Sequence, residues 1–152
     1  MELVSESQLR QAGAAQQSGR LAMTPQPLVL GLTLCEKAIV EEGTKNITLA
    51  SAYTRMVIDE FPSLPQRFAL YTVLTGGLGE GIMDLVIQDL ENDEEIYAAQ
   101  MSVRFPDRVA EVRVLFRVHR CVFPRPGECL CTLLLDGEWL AQRRRTAIRR
   151  DV

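Results

Sequence analysis

Histidine and cysteine side chains are the groups of this 152-residue chain best suited to nucleophilic or acid–base chemistry. The chain has one histidine, His119, and four cysteines. A base at His119 acting with Ser102 or a cysteine as nucleophile would make a hydrolase-like enzyme. However, no nucleophile elbow, zinc-binding histidine pair or paired carboxylates frame His119. We therefore predict no catalytic residue and keep the hydrolase as an alternative hypothesis.

The four cysteines lie at positions 35, 121, 129 and 131. Their spacing fits neither paired zinc knuckles nor a disulfide-dense secreted scaffold, so reduced and partly buried thiols are expected. On a strand, Cys129 and Cys131 would point to the same face, which leaves a metal or redox role as the alternative. The prediction is no bound metal and no cofactor.

Two loops offer a second alternative, a small-molecule or metal-binding module. Around Gly79 the glycine spacing matches no phosphate-binding loop, which indicates a flexible hairpin connection. Around Asp93 the acidic residues lack the spacing of an EF-hand calcium loop, which favours a solvated turn. Residues 79–95 contain seven acidic side chains and no lysine or arginine.

Five arginines crowd the other end of the chain, at positions 143, 144, 145, 149 and 150. On a strand, Arg143 and Arg145 would point one way and Arg144 the other, so the charge is divided between two faces. No aromatic residues are interleaved for base stacking, and the net charge of −3 opposes general attraction to nucleic acid or membrane. A charged edge strand is the expected use, and nucleic acid is not an expected partner.

Asp136-Gly137 is the clearest structural signal among the elements that must position these groups. Between two β-prone runs it predicts a two-residue hairpin turn, because both turn residues need positive φ. This turn would pair Leu135 with Glu138, Leu134 with Trp139 and Leu133 with Leu140.

The remaining sequence predicts an all-β fold, an antiparallel Greek-key (immunoglobulin-like) sandwich of seven or eight strands spanning residues 28–150. Residues 1–27 differ in composition and are predicted to be a flexible or partly helical N-terminal arm. The start of the chain lacks a signal-peptide pattern, and a cytoplasmic location is expected. The strands before the hairpin are predicted at 28–35, 47–58, 68–74, 82–90, 96–105 and 110–123.

Pairing of strand 110–123 with the hairpin through Pro126-Gly127 would divide its apolar residues between two faces. Cys129, Cys131, Leu133 and Leu135 would then share the core side with Val114, Phe116 and Val118. The opposite side, together with two of the arginines, is a candidate interaction surface for a protein partner or a second copy of the chain: Leu115, Phe123, Leu130, Leu134, Trp139, Arg143 and Arg145.

Short motifs spread over residues 34–148 carry a resemblance to a small uncharacterised family of bacterial proteins, a domain of unknown function. They are Cys35-Glu36-Lys37 with Gly43-Thr44, Phe61-Pro62, Gly79-Glu80-Gly81, Phe105-Pro106, Pro126-Gly127 and Asp136-Gly137-Glu138. The closing pattern is also similar to the last hairpin of many immunoglobulin-like sandwiches. The resemblance implies a fold, and it brings no activity and no site residues. The sequence therefore favours a non-catalytic protein-interaction or scaffold module.

Overall fold

A computed structural model describes residues 26–151 of the chain, and within that range it contains nine strands and no helix. The strands are β1 (Leu28–Val40), β2 (Ile47–Ala52), β3 (Arg55–Ile58), β4 (Gln66–Thr75), β5 (Gly79–Asp89), β6 (Glu95–Phe105), β7 (Val112–Cys121), β8 (Gly127–Leu135) and β9 (Glu138–Arg149). The predicted all-β class is confirmed, whereas the count of seven or eight strands is wrong. The predicted N-terminal arm lies outside the described residues except for Gln26 and Pro27.

The strands form two sheets that pack around one apolar core. A four-stranded sheet has the order β2-β1-β4-β7, and a five-stranded sheet has the order β3-β9-β8-β5-β6. All pairs are antiparallel except β3 with β9, which is parallel and departs from the antiparallel prediction. The immunoglobulin-like Greek-key connectivity stays a prediction.

The core contains the inward side chains of both sheets. Val114, Phe116 and Val118 of β7 contribute from the four-stranded sheet. From the five-stranded sheet, Cys131 and Leu133 join the same core and are essentially inaccessible to water. The predicted core sides of β7 and β8 are therefore confirmed. Alternation of apolar and polar residues makes this arrangement, because successive side chains of a strand point to opposite faces.

The stretch Ile47–Ile58 forms two strands in different sheets, where the sequence predicted one. Ser51 has a φ of 58°, close to the end of β2. Beyond it, the Tyr53 amide donates to the Leu34 carbonyl at 3.1 Å, and β3 then pairs with the end of β9. Residues of high β-propensity run through the whole stretch, so propensity alone did not mark the change of sheet.

The connection from β7 to β8 crosses between the sheets, so the predicted pairing of these two strands is wrong. Pro124 and Pro126 have no amide hydrogen to donate to a ladder. Phe123, just after β7, is only 3% exposed and packs in the core, where its amide donates to the Ser63 hydroxyl at 2.8 Å. Its predicted place on the outer side is therefore also wrong.

A bulge changes the predicted register of the last hairpin. Leu135 lies opposite Glu138 and Leu134 opposite Trp139, as predicted, but Leu133 then lies opposite Ala141 because β9 has an extra residue there. β1 also has a bulge, because its register shifts between Val29 and Gly31, and its leucines lie on two different faces. Leu28 and Leu30 are exposed, and Leu32 and Leu34 are buried.

The glycine-rich connection between β4 and β5 also passes from one sheet to the other, so it is not the predicted hairpin. Gly76 and Gly79 have φ values of 83° and 82°, which glycine adopts without strain. At Gly77 a Cβ atom would lie 2.7 Å from the Phe105 ring, so only glycine allows this close packing. Within residues 26–151 there is no helix of the length and apolarity needed to span a membrane.

Candidate interaction surface

The five-stranded sheet has one face turned away from the core, called here the outer face. Its position follows from the register, because residues paired across antiparallel strands share a face. No described strand packs over it, since all nine strands belong to the two sheets. Its residues include Ile82, Asp84, Val86, Gln88, Ala98, Gln100, Ser102, Leu130, Thr132, Leu134, Trp139, Gln142 and Arg144.

One row of four paired residues crosses the middle of the outer face. Trp139 of β9 lies opposite Leu134 of β8, which lies opposite Asp84 of β5, which lies opposite Gln100 of β6. Trp139 is 55% exposed, whereas the other three are half-buried by their neighbours. The row therefore places a large aromatic ring at one end and a lone carboxylate near its centre.

Asp84 is held in a partly desolvated position on this face. Burial raises the pKa of its carboxyl, a hydrogen bond with the Gln100 side chain partly opposes the rise, and the negative charge of Asp136 adds to it. Ile82 and Val86 flank Asp84 along the strand, and Leu134 lies beside it. A carboxylate among apolar side chains is costly unless a cation or a donor comes to it, which is why such groups often mark binding sites.

The β8–β9 turn lies at one end of the outer face. Asp136 and Gly137 have φ values of 50° and 82°, as the hairpin turn requires. One carboxylate oxygen of Asp136 accepts a hydrogen bond from the Ile82 amide at 3.0 Å, and the Asp136 amide donates to the Ile82 carbonyl at 2.9 Å. The turn that precedes Trp139 is therefore tied to β5.

A second row of residues, further from the β8–β9 turn, is less accessible to water. Thr132 is only 7% exposed although it points away from the core. The Gln142 side chain donates to its hydroxyl at 3.1 Å, and Val86 lies opposite it on β5. Beyond this row, Leu130 is paired with Arg144, whose guanidinium approaches Glu128 at 3.6 Å. The outer face is thus apolar in the middle and charged at the end away from the β8–β9 turn.

The structure brings together three of the seven residues predicted for the interaction surface. Leu130, Leu134 and Trp139 share the outer face. Leu115 lies on the outside of the other sheet, where it packs against a small cluster of Cys35, Ala38 and Ala69. Phe123 is in the core. The predicted set therefore mixes residues from two outer sides and the interior.

Arg143 and Arg145 share one side of β9 and Arg144 lies on the other, as the alternation along the strand predicted. The side of Arg143 and Arg145 is the one opposite the outer face, so the structure separates both from the surface that was predicted to include them. They lie opposite Cys131 and Cys129, whereas Arg144 lies opposite Leu130. Arg145 lines a small recess with Cys129 and Cys131, and its Nε is buried without a hydrogen-bond partner in the described residues. Arg143 is exposed, and its guanidinium donates to the Gln142 carbonyl.

All four thiols are free and buried. Cys121, Cys129 and Cys131 lie in the core, and Cys35 lies in the small cluster beside Leu115. Burial raises the pKa of Cys121 to about 12, with a smaller contribution from Cys129. The pKa of Cys129 is lowered, mainly by a hydrogen bond with the Cys131 thiol and against the effect of its own burial. Among the described residues, no three cysteine, histidine or acidic side chains are arranged to hold a metal ion.

His119 does not meet the nucleophiles that the enzyme hypothesis requires. It is exposed on the outer side of β7, in the four-stranded sheet, while Ser102 lies on the outer face of the five-stranded sheet. A register shift near the end of β7 turns Cys121 into the core, away from His119. The structure therefore places His119 apart from Ser102, the serine that the alternative hydrolase hypothesis offered as nucleophile.

The acidic loop around Asp93 uses its polar groups internally. Asp89 is 6% exposed; one of its oxygens accepts from the Glu91 amide at 2.9 Å and the other from Arg125 at 3.1 Å. Asn92 accepts from the Glu94 amide at 3.0 Å, and Asp93 has a φ of 58°. These bonds close a tight turn between β5 and β6 and join it to the β7–β8 connection.

Asp84 is the residue that the sequence reasoning missed, having grouped it with the solvated acidic residues. A signal was available in its spacing. Ile82, Asp84 and Val86 alternate with the buried Met83 and Leu85, so a carboxylate stands on an otherwise apolar strand face. That Leu134 and Gln100 are the cross-strand neighbours of Asp84 could be known only from the order of the strands in the sheet.

Comparisons with known proteins give a family but no activity. No curated protein matches the sequence. Among solved structures, the chain is similar to a Pseudomonas fluorescens alkylpurine DNA glycosylase AlkC bound to DNA containing an abasic site analog, with 12% identity, a TM-score of 0.46 and 82% of this chain covered. A β-glucosidase from Listeria innocua in complex with isofagomine gives 11% identity, a TM-score of 0.43 and 80% coverage. The chain spans 31% and 16% of these two proteins.

A third similar structure is the CARDB domain of the PF1109 protein from Pyrococcus furiosus in complex with di-metal ions, with 10% identity and a TM-score of 0.38 over 78% of this chain and 88% of that one. At these TM-scores none of the three likenesses bears on function. A family model, by contrast, matches residues 30–146, which is most of the chain and nearly all of the two sheets. The chain belongs to this family, described as a family of unknown function (DUF6941).

Proposed function

We propose that this chain is a non-catalytic protein-interaction module of the bacterial cytoplasm that binds through the outer face of its five-stranded sheet. The observation that carries the proposal is the central row, in which half-exposed Trp139 and half-buried Leu134 stand beside the partly desolvated carboxylate of Asp84. Aromatic anchors beside a few placed polar groups are typical of protein-binding surfaces.

The chemistry of the row also suggests the kind of partner. Apolar side chains would pack on Trp139 and Leu134, and a lysine or arginine of the partner would pair with Asp84. Such a cation would relieve the cost of holding the carboxylate among Ile82, Val86 and Leu134. Four reduced thiols support the proposed cytoplasmic location, because disulfides are rare there. An immunoglobulin-like connectivity of the two sheets is part of the same proposal.

Site-specific photo-crosslinking tests the proposal. A photoreactive benzophenone residue replaces Trp139 in one protein and Val109 in a control, since Val109 is 85% exposed in the β6–β7 loop, away from the outer face. Crosslinked protein is recovered from the producing cells, and the captured partner is then purified. A partner captured at position 139 and not at position 109 is expected.

The purified partner gives the decisive measurement. Trp139 is the only tryptophan of the chain, so binding to the outer face is expected to shift its emission to shorter wavelength. Asp84→Lys should weaken binding at least about tenfold, which corresponds to about 1.4 kcal/mol. Glu42→Lys, in the exposed turn between β1 and β2, is the charge-matched control. Equal capture at both positions, or unchanged affinity of Asp84→Lys, contradicts the proposal.

A further inference from the structure

Strand β6 leaves a long edge of the five-stranded sheet without a partner among the described residues. It pairs with β5 from Glu95 to Phe105, and it is the last strand in the sheet order. In an edge strand, alternate backbone amides and carbonyls point away from the sheet and are open to another strand. Residues 96–103 contain no charged residue, no proline and no glycine.

The other edges in the described part of the chain carry the features that discourage pairing. β7 presents Arg113, Arg117 and Arg120 along its length. β2 has only six residues, with Ser51 at positive φ, and β3 has only four. The unpaired first part of β9 carries consecutive arginines from position 143. Only β6 combines length with an uncharged centre, which indicates that its edge is used.

We propose that β6 pairs in the antiparallel direction with β6 of a second copy of this chain, about a two-fold axis near its middle. This inference concerns the edge of the sheet and goes beyond the binding proposed for its outer face. A two-fold axis through an antiparallel pair makes one strand complementary to itself. Both strands then alternate between core side and outer side in the same register. Tyr97 of one copy therefore lies opposite Met101 of the other, and both side chains face the core side of the joined sheet.

The charges at the ends of β6 favour the antiparallel direction and a second copy. Glu94 and Glu95 stand at its start and Arg104 near its end. Antiparallel pairing about an axis near Ala99 brings Arg104 of each copy to the acidic pair of the other, whereas a parallel pair would place like charges together. Tyr97 and Met101 are half-buried in the single chain, so pairing would also remove apolar surface from water.

The resulting dimer would have one continuous ten-stranded sheet. Each β6 would then be flanked on both sides, and the outer faces of the two copies would lie on the same side of the joined sheet. Gln100, at the end of the row that contains Asp84, would lie close to the two-fold axis. A dimer would therefore present two equivalent binding rows to a partner, which raises avidity when both are engaged.

Charged residues on the edge strand test the inference in the full chain. Ala98 and Ser102 are exposed positions of β6, four residues apart, so Ala98→Lys with Ser102→Lys leaves the core untouched. Thr48→Lys with Ala52→Lys makes the same charge change at exposed positions of the β2 edge, also four residues apart. Sedimentation velocity measures the mass of each protein, and thermal unfolding checks that each is folded.

The expected result is a mass of twice 17.1 kDa for the natural chain and the β2-edge variant, and a single-chain mass for the β6-edge variant. Arg104→Glu should weaken the dimer at least about tenfold, and adding Glu94→Arg with Glu95→Arg should restore it. A monomeric natural chain at about 100 µM, or a β6-edge variant that stays dimeric, overturns the inference.

Discussion

Asp84 is the single residue whose surroundings depart most from those of an ordinary surface carboxylate. It stands on the outer side of a sheet, yet burial among its neighbours raises its pKa. A group that is hard to ionise in the folded protein destabilises that protein at neutral pH. Residues of this kind are retained where binding needs them, because function and stability compete for the same position.

Replacing Asp84 with asparagine should therefore stabilise the free protein. A raised folded pKa means that the contribution of Asp84 to stability is complete below its unfolded pKa and is lost as the pH rises through the folded pKa. We expect Asp84→Asn to unfold about 1–2 °C higher than the natural chain at pH 7 and to show no gain at pH 3, since the carboxyl is still partly solvated. Calorimetry at both pH values measures this difference.

The exposed Asp93→Asn substitution is the matched control for that experiment. Asparagine accepts the positive φ of 58° found at this position, so the variant changes one surface charge without backbone strain. Its unfolding temperature should follow that of the natural chain at both pH values. A gain at pH 7 equal to that of Asp84→Asn would show that the effect comes from net charge and not from the outer face.

Gly77, which has no side chain, lets the β4–β5 connection pack closely against Phe105 at the end of β6. Its α-carbon lies against the Phe105 ring, where a Cβ would come within 2.7 Å of ring atoms. We expect Gly77→Ala to destabilise the protein by about 1–3 kcal/mol, because the buried ring has to move. Urea unfolding measures the loss. Gly43→Ala is the control, since nothing lies within 4 Å of its added Cβ, and a similar loss there would contradict the packing argument.

At the scale of elements, the connections decide which strands meet. β4 and β5 follow each other in the chain but belong to different sheets, and so do β7 and β8. Each of these connections is held by a packed or paired group near it: Gly77 against Phe105, and Asp89 bonded to Arg125. Side-chain contacts far apart in sequence therefore fix the crossings that local turn signals leave open.

Asp89 should be important for the second crossing. Its carboxylate is buried and accepts from the Glu91 amide and from Arg125 of the β7–β8 connection. We expect Asp89→Ala to cost about 1–3 kcal/mol in unfolding free energy, because the Glu91 amide loses its acceptor and the β7–β8 connection loses its tie to β5. Chemical denaturation gives the value.

Glu128→Ala provides the comparison for Asp89→Ala. Its carboxylate is half-exposed and meets Arg144 at 3.6 Å. A solvent-exposed pair of this kind is worth less than about 1 kcal/mol, so the loss should be close to zero. If the two substitutions cost the same, the tie between the β7–β8 connection and β5 does not stabilise the fold.

For the whole molecule, stability comes from one core shared by two sheets. Leu133 is fully buried at the centre of the five-stranded sheet, between Leu85 of β5 and Ala141 of β9. We expect Leu133→Ala to lower the unfolding free energy by about 2–5 kcal/mol, through lost burial and the cavity left behind. Leu64→Ala, at a position 67% exposed, should change it by less than about 0.5 kcal/mol. Equal losses in urea unfolding would contradict the assigned core.

Much of the local structure could be predicted from residues that act locally. Asp136-Gly137 set the last turn and its first two pairs, and the alternation of Val114, Phe116 and Val118 identified the core side of β7. The later register of the hairpin could not be predicted, because the bulge before Ala141 depends on how β9 meets its neighbours. The candidate surface was therefore only partly found: Trp139 and Leu134 were predicted together, and Asp84 was missed.

By itself the sequence determined the all-β class, the tight turn at Asp136-Gly137 and the apolar sides of β7 and β8, since these depend on neighbours along the chain. Only the tertiary structure decided that β7 and β8 belong to different sheets, that Phe123 is in the core and that Asp84 stands beside Leu134. Sheet order joins residues about fifty positions apart. It is fixed by how complete sheets pack, which no local pattern encodes.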